Sequence, residues 1–435
     1  MTYEEAVEKI NSLLVFGSKP GLERVRELVD RSGAPDKSLK FVHVAGTNGK
    51  GSVCAYLSSI LRKAGYKTGL FISPYVLEFR ERFQINGEMI PHQALADIID
   101  ELWEIVSEMK NEGLIITEFE LVLAAALKWF EREKCDVVVL ETGLGGRFDA
   151  TNIIDTPLAS VIMSISLDHT AILGDTCEKI AYEKCGIIKP GGTTVLYGDQ
   201  PEGVFKVVEK TAEERDNKLI IAEIAAAECI RTGLEGSAFS FKSSSLFDGK
   251  ETELFIPLIG KHQIKNAAAA LFTVSALRDK GLRISDEAIK AGLAETVFPA
   301  RAELLKKEPP VLLDGAHNPG GAAALSELIK TGLSGHYRIA VTGMLADKDI
   351  RSSLSMLIPL FDRVIAVSPD NPRAMSPEGL AQIISEFGVP VEAEHDLSRA
   401  YKKAEALALE KNGAVAVFGS LYLASDMRKI ILGKK

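Results

Sequence analysis

Short apolar runs, rich in β-branched residues, alternate with helical-period segments along almost the whole chain. A continuous apolar run is typical of a strand that is buried on both faces, as in a parallel sheet covered by helices. The alternation therefore predicts an α/β fold with mostly parallel sheets. The predicted strands lie at residues 41–44, 68–72, 137–140, 161–163, 311–313, 339–341, 364–367 and 415–418.

The chain has 435 residues, about three times the length of a typical domain, which indicates at least two domains. A break is expected near residues 297–301, after a helix-like segment at 285–293. We predict a larger domain over residues 1–296 and a smaller Rossmann-like α/β domain over residues 297–435. A turn-rich stretch at about 222–255 predicts short strands at the end of the larger domain.

Composition and charge narrow the class of protein. Apolar residues make up 46% of the chain and charged residues 26%, so a packed core is expected. The formal charge of −9 is opposite in sign to that of a general nucleic-acid or anionic-membrane binder. The acidic start Met1–Glu5 is unlike a signal peptide, and the longest apolar stretch, near Leu121–Leu127, is too short to cross a bilayer. Five cysteines without a C-x-x-C pair fit a reduced compartment, so we expect a cytoplasmic protein without nucleic-acid or membrane partners.

A glycine-rich segment, Gly46–Ser52, separates the first predicted strand from a helix that begins near Ser52. Glycines let the backbone wrap a phosphate, a helix N-terminus offers unpaired N–H groups, and Lys50 adds a mobile positive charge. The segment departs twice from the usual G-x-x-x-x-G-K-[ST] pattern, because Val44 replaces the first glycine and Gly51 stands where the hydroxyl is expected. The plain alternative is a glycine-rich turn, but the lysine and its setting favour phosphate binding. The larger domain is therefore predicted to be a P-loop nucleotide-binding domain.

Three polar residues follow predicted strands directly: Ser73, Glu141 and His169. The carboxyl ends of parallel strands meet at one edge of a sheet, where ligands bind. A carboxylate, an imidazole and a hydroxyl near a phosphate loop can hold a divalent ion that bridges ATP oxygens. Taken singly, each residue could also cap or begin a turn. Their joint placement favours a metal site.

The smaller domain begins with its own polar strand end. Asp314 and His317 follow the strand at 311–313, and Arg301 lies in the expected linker, where a cation could follow the nucleotide as the domains close. Arg301 could equally be an ordinary solvated charge. Composition alone makes Lys184 a surface residue of a helix.

These motifs together resemble the folylpolyglutamate synthases and dihydrofolate synthases, which are Mur-type ATP-dependent amide ligases. The matching segments keep the family's order along nearly the whole chain, and both departures in the phosphate loop are features of that family. The segments are 43–52, 73–75, 81–82, 117–120, 141–152, 167–170, 173–174, 183–187, 314–319, 343–349 and 419–420.

The resemblance implies a role for each motif. The residues expected at ATP are Thr47, Asn48, Gly49, Lys50, Gly51, Ser52, Asn266, Arg301 and Asp314. Those expected at two Mg²⁺ sites are Ser73, Glu141, His169 and Lys184, the last matching a lysine that many Mur-type ligases carry as a carbamate. Those expected at the acceptor or the glutamate are Thr117, Glu118, Asp149, His317 and Ser420. Lys50, His317 and Asp314 are the expected catalytic residues, and the Ser73–Pro74 peptide is expected to be cis.

The implied reaction is ATP-dependent ligation of L-glutamate to the carboxylate of dihydropteroate, or to the γ-carboxylate of a folylpolyglutamate, through an acyl phosphate. The general base is left open between His317 and Asp314. The segment at 145–152 resembles bifunctional enzymes, whereas Glu118 also occurs in members that act on folates alone. We expect a bifunctional, monomeric enzyme.

Two other hypotheses remain. A UDP-muramyl ligase of the same superfamily would need a further domain before His43, and its motifs would differ. A switch that binds ATP without catalysis would explain the phosphate loop but not Asp314, His317 and Ser420.

Overall fold

A computed structural model describes residues 1–16, 21–346 and 349–433. The predicted α/β class is confirmed, with an eight-stranded sheet, a six-stranded sheet and a small three-stranded sheet. Asp347 and Lys348, inside the motif at 343–349, lie outside the described residues.

The strands of the first sheet include all four runs predicted in the amino-terminal half. They are β1 (Phe41–Ala45), β2 (Thr68–Phe71), β3 (Phe83–Ile85), β4 (Glu88–Met89), β5 (Val137–Glu141), β6 (Ala159–Ile162), β7 (Thr193–Tyr197) and β8 (Lys218–Ala222). Their order is β4-β3-β2-β5-β1-β6-β7-β8. The β2–β3 and β3–β4 pairs are antiparallel, and the other pairs are parallel.

The turn-rich stretch forms an antiparallel sheet of β9 (Ala227–Gly233), β10 (Gly236–Phe241) and β11 (Thr252–Ile256). The six-stranded sheet has the order β12-β13-β17-β14-β15-β16, and only the β12–β13 pair is antiparallel. Its strands are β12 (Glu303–Lys307), β13 (Pro310–Leu313), β14 (Tyr337–Thr342), β15 (Arg363–Ala366), β16 (Val391–Ala393) and β17 (Gly413–Phe418).

Helices cover both large sheets. In the amino-terminal part they are α1 (Tyr3–Ser12), α2 (Glu23–Arg31), α3 (Lys50–Lys63), α4 (His92–Asn111), α5 (Glu118–Arg132), α6 (Thr170–Leu173), α7 (Cys177–Lys184), α8 (Glu202–Glu214), α9 (Lys261–Asp279) and α10 (Asp286–Ala294). The rest are α11 (Pro319–Gly332), α12 (Ile350–Leu357), α13 (Pro377–Ser385), α14 (Leu397–Lys411) and α15 (Leu421–Leu432). Among the described residues, no helix is both long and apolar enough to cross a bilayer.

The central strand β5 is apolar up to its last residue because the strand is buried on both faces. Val137 and Val139 pack into the core on one face of the sheet, with α3, α9 and α10. Val138 and Leu140 pack into the core on the other face, with α1, α2, α4 and α5. Alternate side chains of a strand point to opposite faces, so burial on both sides requires a continuous apolar run. The strand ends in Glu141, at the carboxyl edge of the sheet.

Candidate functional site

A cleft of about 580 Å³ collects the residues that follow strands of both large sheets. Its walls come from the loops after β1, β2, β5 and β6, from α9, and from the loops after β13 and β17. The predicted site residues that line it are Thr47, Asn48, Gly49, Lys50, Gly51, Ser52, Ser73, Glu141, His169, Lys184, Asn266, Arg301, Asp314, His317 and Ser420. The fold thus brings together the predicted nucleotide and metal residues, although these are far apart in the chain.

The phosphate loop joins β1 to α3, as the strand–glycine–helix pattern predicts. Gly49 is the N-cap of α3 with φ of 86°, a conformation that a residue with a Cβ atom adopts only with strain. The Lys50 Nζ donates to the carbonyl oxygens of Gly46 at 3.1 Å and Thr47 at 3.4 Å. The Thr47 and Asn48 N–H groups donate to the carbonyl of Ser164, after β6, at 2.8 and 3.3 Å. These bonds fix the loop against the segment after β6 and place it at the N-terminus of α3, where an anion can bind.

Lys184 lies at the end of α7, and its side chain is 3% exposed. Its Nζ donates to the same Gly46 carbonyl at 2.8 Å. Burial, with the nearby Lys50 cation, lowers the pKa of Lys184 to about 7. The interpretation of Lys184 as a surface lysine, drawn from composition, is wrong. Composition could not reveal this, because the end of α7 packs against Gly146, which is distant in the chain.

Glu141 is buried, and its Oε2 accepts a hydrogen bond from the N–H of Ser73 at 3.2 Å. Burial raises the pKa of this carboxyl, while Lys50 opposes the rise. The peptide from Ser73 to Pro74 is cis, as expected. His169 is at the N-terminus of α6 with φ of 49° and has a half-exposed side chain.

These donors fit a hard divalent ion that is only partly held by protein. A carboxylate and a hydroxyl oxygen are groups that Mg²⁺ prefers, and Mg²⁺ usually keeps waters and substrate phosphates as its other ligands. In the described ranges, no three His, Cys, Asp or Glu side chains cluster closely enough to form a metal centre by themselves. The site therefore suits an ion that arrives with a phosphate.

Asp314 lines the cleft from the second large sheet, directly after β13. Its carboxylate oxygens accept from the N–H groups of Ala302 and Ala316, both at 2.7 Å. Burial raises its pKa, and Arg301 opposes the rise. His317 contacts the carbonyl of Gly315 through Nδ1 at 2.8 Å. A carbonyl only accepts, so Nδ1 carries a proton.

Asn318 links the two halves of the cleft, although no role was predicted for it. Its Nδ2 donates to Asn48 Oδ1 at 3.2 Å and to Asp168 Oδ2 at 3.1 Å. Its Oδ1 accepts from the N–H of Gly321 and so caps α11. Asn followed by Pro is a recognisable helix start. That signal could have identified the cap but not the contacts across the cleft.

Sequence reasoning also missed His262 and Gln263, both of which line the cleft at the start of α9. The Gln263 Oε1 accepts from Asn266 Nδ2 at 3.1 Å. Burial lowers the pKa of His262 to about 4. Both residues lie in the first turn of a long alanine-rich helix, and nothing in the surrounding sequence indicated a binding site there.

Three predicted acceptor residues are not among those that line the cleft. Thr117 caps α5, and Glu120 completes its capping box. Glu118 accepts from Arg82 at 2.5 Å in a largely buried ion pair. The buried Asp149 accepts from the N–H of Leu144, in the loop after β5, at 2.8 Å.

The chain matches two family models, the Mur ligase middle domain over residues 44–274 and the Mur ligase glutamate ligase domain over residues 300–421. It is 37% identical over 433 residues to the dihydrofolate synthase/folylpolyglutamate synthase of Bacillus subtilis, covering 98% of both chains. The structure superposes on Mycobacterium tuberculosis folylpolyglutamate synthase complexed with ADP, with a TM-score of 0.89, 29% identity and 99% of both chains covered. It also superposes on Escherichia coli FolC in complex with DHPP and ADP, with a TM-score of 0.85, 31% identity and coverage of 100% and 98%.

Proposed function

The chain belongs to the Mur ligase family, within the dihydrofolate synthases and folylpolyglutamate synthases, and we propose that it ligates L-glutamate to pterin carboxylates at the expense of ATP. The acceptors are dihydropteroate and the γ-carboxylate of folylpolyglutamates, and the products are the amide, ADP and phosphate. The observation that carries the proposal is that the two large sheets share one cleft. It joins a phosphate loop and a buried carboxylate from one sheet to an aspartate and a histidine from the other.

The first step activates the acceptor. A carboxylate is a poor electrophile, so one of its oxygens attacks the γ-phosphorus of ATP and gives an acyl phosphate and ADP. Lys50 offsets charge on the transferring phosphoryl group, and the N–H groups at the start of α3 hold the phosphates. Asn266, Arg301 and Asp314 hold the remainder of the nucleotide, since they line the same cleft from α9 and the second sheet.

Magnesium would be held by Ser73, Glu141 and His169 together with phosphate oxygens. When bound, it neutralises charge on the phosphates. The fit of the donor set supports this assignment. Lys184 is the fourth residue: its burial beside the Gly46 carbonyl and its lowered pKa favour the neutral amine, the form that adds CO₂ to give a carbamate.

The second step forms the amide. The glutamate amine must lose a proton before it attacks the acyl carbon and expels phosphate. His317 and Asp314 both line the cleft and are the two candidates for the base that accepts this proton. Ser420, which caps α15, and His317 would hold the glutamate at this end of the cleft. Enclosure between the two sheets keeps water from the acyl phosphate.

The alternatives differ in their acceptor. A UDP-muramyl ligase would release phosphate with a UDP-muramyl substrate, and a nucleotide switch would bind ATP without turnover. The full-length match to folate enzymes argues against both.

The test compares acceptors. Phosphate release is measured with ATP and L-glutamate plus dihydropteroate, tetrahydrofolate or a UDP-muramyl substrate. We expect release that depends on glutamate with both pterins. Release with tetrahydrofolate alone would make the enzyme monofunctional, and release with neither pterin would overturn the proposal.

A further inference from the structure

A fully buried histidine lies directly before the phosphate loop, and the mechanism above does not use it. His43 is in the middle of β1, and its Nε2 lies 2.8 Å from Thr151 Oγ1. Burial lowers its pKa to about 3, so the ring is neutral. The buried Nδ1 has no hydrogen-bond partner within the part of the chain that the structure describes.

The contacts of Thr151 determine which ring nitrogen of His43 carries the proton. Thr151 Oγ1 also contacts Asp149 Oδ1 at 2.5 Å, and the Thr151 N–H donates to the same oxygen at 3.0 Å. A hydroxyl has one proton, and a carboxylate accepts, so that proton points to Asp149. The Thr151 oxygen must then accept from His43, which places the ring proton on Nε2. The unpartnered Nδ1 is therefore a lone pair and not a stranded N–H group.

The chain of hydrogen bonds ends on a loop of the cleft. Asp149 Oδ2 accepts from the N–H of Leu144 at 2.8 Å, and the segment Gly143–Gly145 lines the cleft two residues beyond Glu141. The next residue, Gly146, is so tightly packed that a Cβ atom there would lie 2.8 Å from the carbonyl oxygen of Lys184. The loop therefore spans the gap between two of the four candidate metal residues, Glu141 and Lys184.

The other neighbour of this loop is on the acceptor side. A Cβ atom on Gly143 would lie 2.7 Å from the Phe119 ring, and Phe119 follows the predicted acceptor residues Thr117 and Glu118. The nucleotide residues Asn266 and Asp314 come from other elements, α9 and the loop after β13. The 143–146 loop therefore packs directly against the acceptor side, whereas Lys184 lies between it and the Gly46 carbonyl of the phosphate loop. A shift of the loop is expected to disturb the acceptor more than the nucleotide.

We propose that His43 and Thr151 are positioning residues, which act through Asp149 to fix the 143–146 loop for the carboxylate acceptor. This inference rests on the proposed function. Neither residue touches a reacting atom. Their effect is on the KM of the acceptor, and the KM of ATP changes little.

The direct test is Thr151→Val, which keeps the shape of the side chain and removes both hydrogen bonds of the hydroxyl. A hydrogen bond to a charged group contributes enough that its loss should raise the KM of dihydropteroate at least about tenfold. The KM of ATP should stay within about twofold. Thr151→Ser restores the hydroxyl and should bring the acceptor KM back towards that of the wild type. The matched control is Thr194→Val, because Thr194 is also a fully buried threonine and its hydroxyl has no partner among the described residues.

His43 is tested by the same logic. Gln presents an N–H near the position of Nε2, so His43→Gln should raise the acceptor KM less than His43→Leu does. If Thr151→Val leaves the acceptor KM within about twofold, or raises the KM of ATP equally, the inference is overturned while the function stands. If the wild type uses neither pterin, the proposed function fails instead. Melting temperatures, measured alongside, show that each variant is folded.

Discussion

At the scale of single residues, the Gly46 carbonyl is shared by two lysines whose surroundings differ. Lys50 is partly buried, and the Lys184 amine is almost fully enclosed. The glycine–lysine pattern predicted the first lysine. The second was found only by resemblance, because the burial of Lys184 depends on the loop that packs over it from β5.

Lys50→Ala should abolish ligation without unfolding the protein. Removal of a single charge-stabilising donor from an active site lowers kcat by a factor of about 10²–10³. His169→Ala is expected to lower kcat by a comparable factor, because it removes a candidate Mg²⁺ ligand. The variant should stay folded, since the half-exposed ring contributes little to the core. Glutamate-dependent phosphate release is the measurement, with circular dichroism as the control for folding. Near-normal turnover in either variant would contradict the assignment of these residues.

Lys184 should carry a carbamate. After incubation with ¹³C-bicarbonate, a carbamate signal is expected in the ¹³C spectrum, and Lys184→Met should remove it. Lys189 is the matched control, since burial lowers its pKa to about 8 and its Nζ donates to the carbonyl of Asn152 at 2.9 Å. Lys189→Met should retain the signal. A spectrum without a carbamate in the wild type would rule out the modification.

His43 makes the stability of the fold sensitive to acid. Its pKa is about 3 in the folded chain and about 6.5 when unfolded, so between these values the unfolded state binds more protons. The contribution of neutral His43 to the free energy of unfolding is therefore fully present above about pH 6.5 and is lost as the pH falls towards 3. Urea unfolding at pH 7 and pH 4.5 should show a smaller loss for His43→Gln than for the wild type. Equal losses would mean that His43 is not buried in its neutral form.

At the scale of elements, the apolar runs predicted every interior strand of the two large sheets except β3 and β7, and none of the edge strands. The strand β12, Glu303–Lys307, was not predicted, because an edge strand is covered on fewer sides and tolerates charged residues. The strands β4, β8 and β16 are also edge strands, and they were missed as well. The strands β3 and β7 lie next to an edge, and no apolar run was predicted at either of them. The phosphate loop was predictable because its chemistry depends on local sequence. The contacts of Asn318 were not, since they join residues that are 270 and 150 positions apart.

Asn318 combines a helix cap with the contact across the cleft, and the two can be separated. Asn318→Ser keeps an oxygen that caps α11 but removes the amide that donates to Asn48 and Asp168. We expect a nearly unchanged melting temperature and a KM for ATP that is raised several-fold. Ser376→Ala removes the cap of α13, which is not among the cleft elements, and should cost about 1 kcal/mol of stability. The KM and kcat of Ser376→Ala should match those of the wild type. An unchanged KM for ATP in Asn318→Ser would show that the contact across the cleft is dispensable.

At the scale of the whole molecule, an acidic chain must bind ATP, a pterin carboxylate and glutamate, all of which are anions. The net charge of −9 supplies no attraction, so local cations must. Lys50 and Arg301 both line the cleft that holds the phosphate loop. Length and composition predicted a packed protein with at least two domains. They could not predict that the carboxyl edges of the two sheets meet, because that depends on packing between distant segments. The boundary at 296/297 stays a prediction, and the second large sheet begins at Glu303.

The central claim is that one cleft passes a phosphoryl group from ATP to a pterin carboxylate and then passes the acyl group to glutamate. The most direct measurement uses dihydropteroate labelled with ¹⁸O in its carboxylate, together with ATP and L-glutamate. If the carboxylate oxygen attacks the γ-phosphorus and leaves with it, each phosphate released during ligation carries one ¹⁸O atom. Released phosphate without ¹⁸O, with the amide formed in equal amount, would contradict the acyl phosphate and the account built on it.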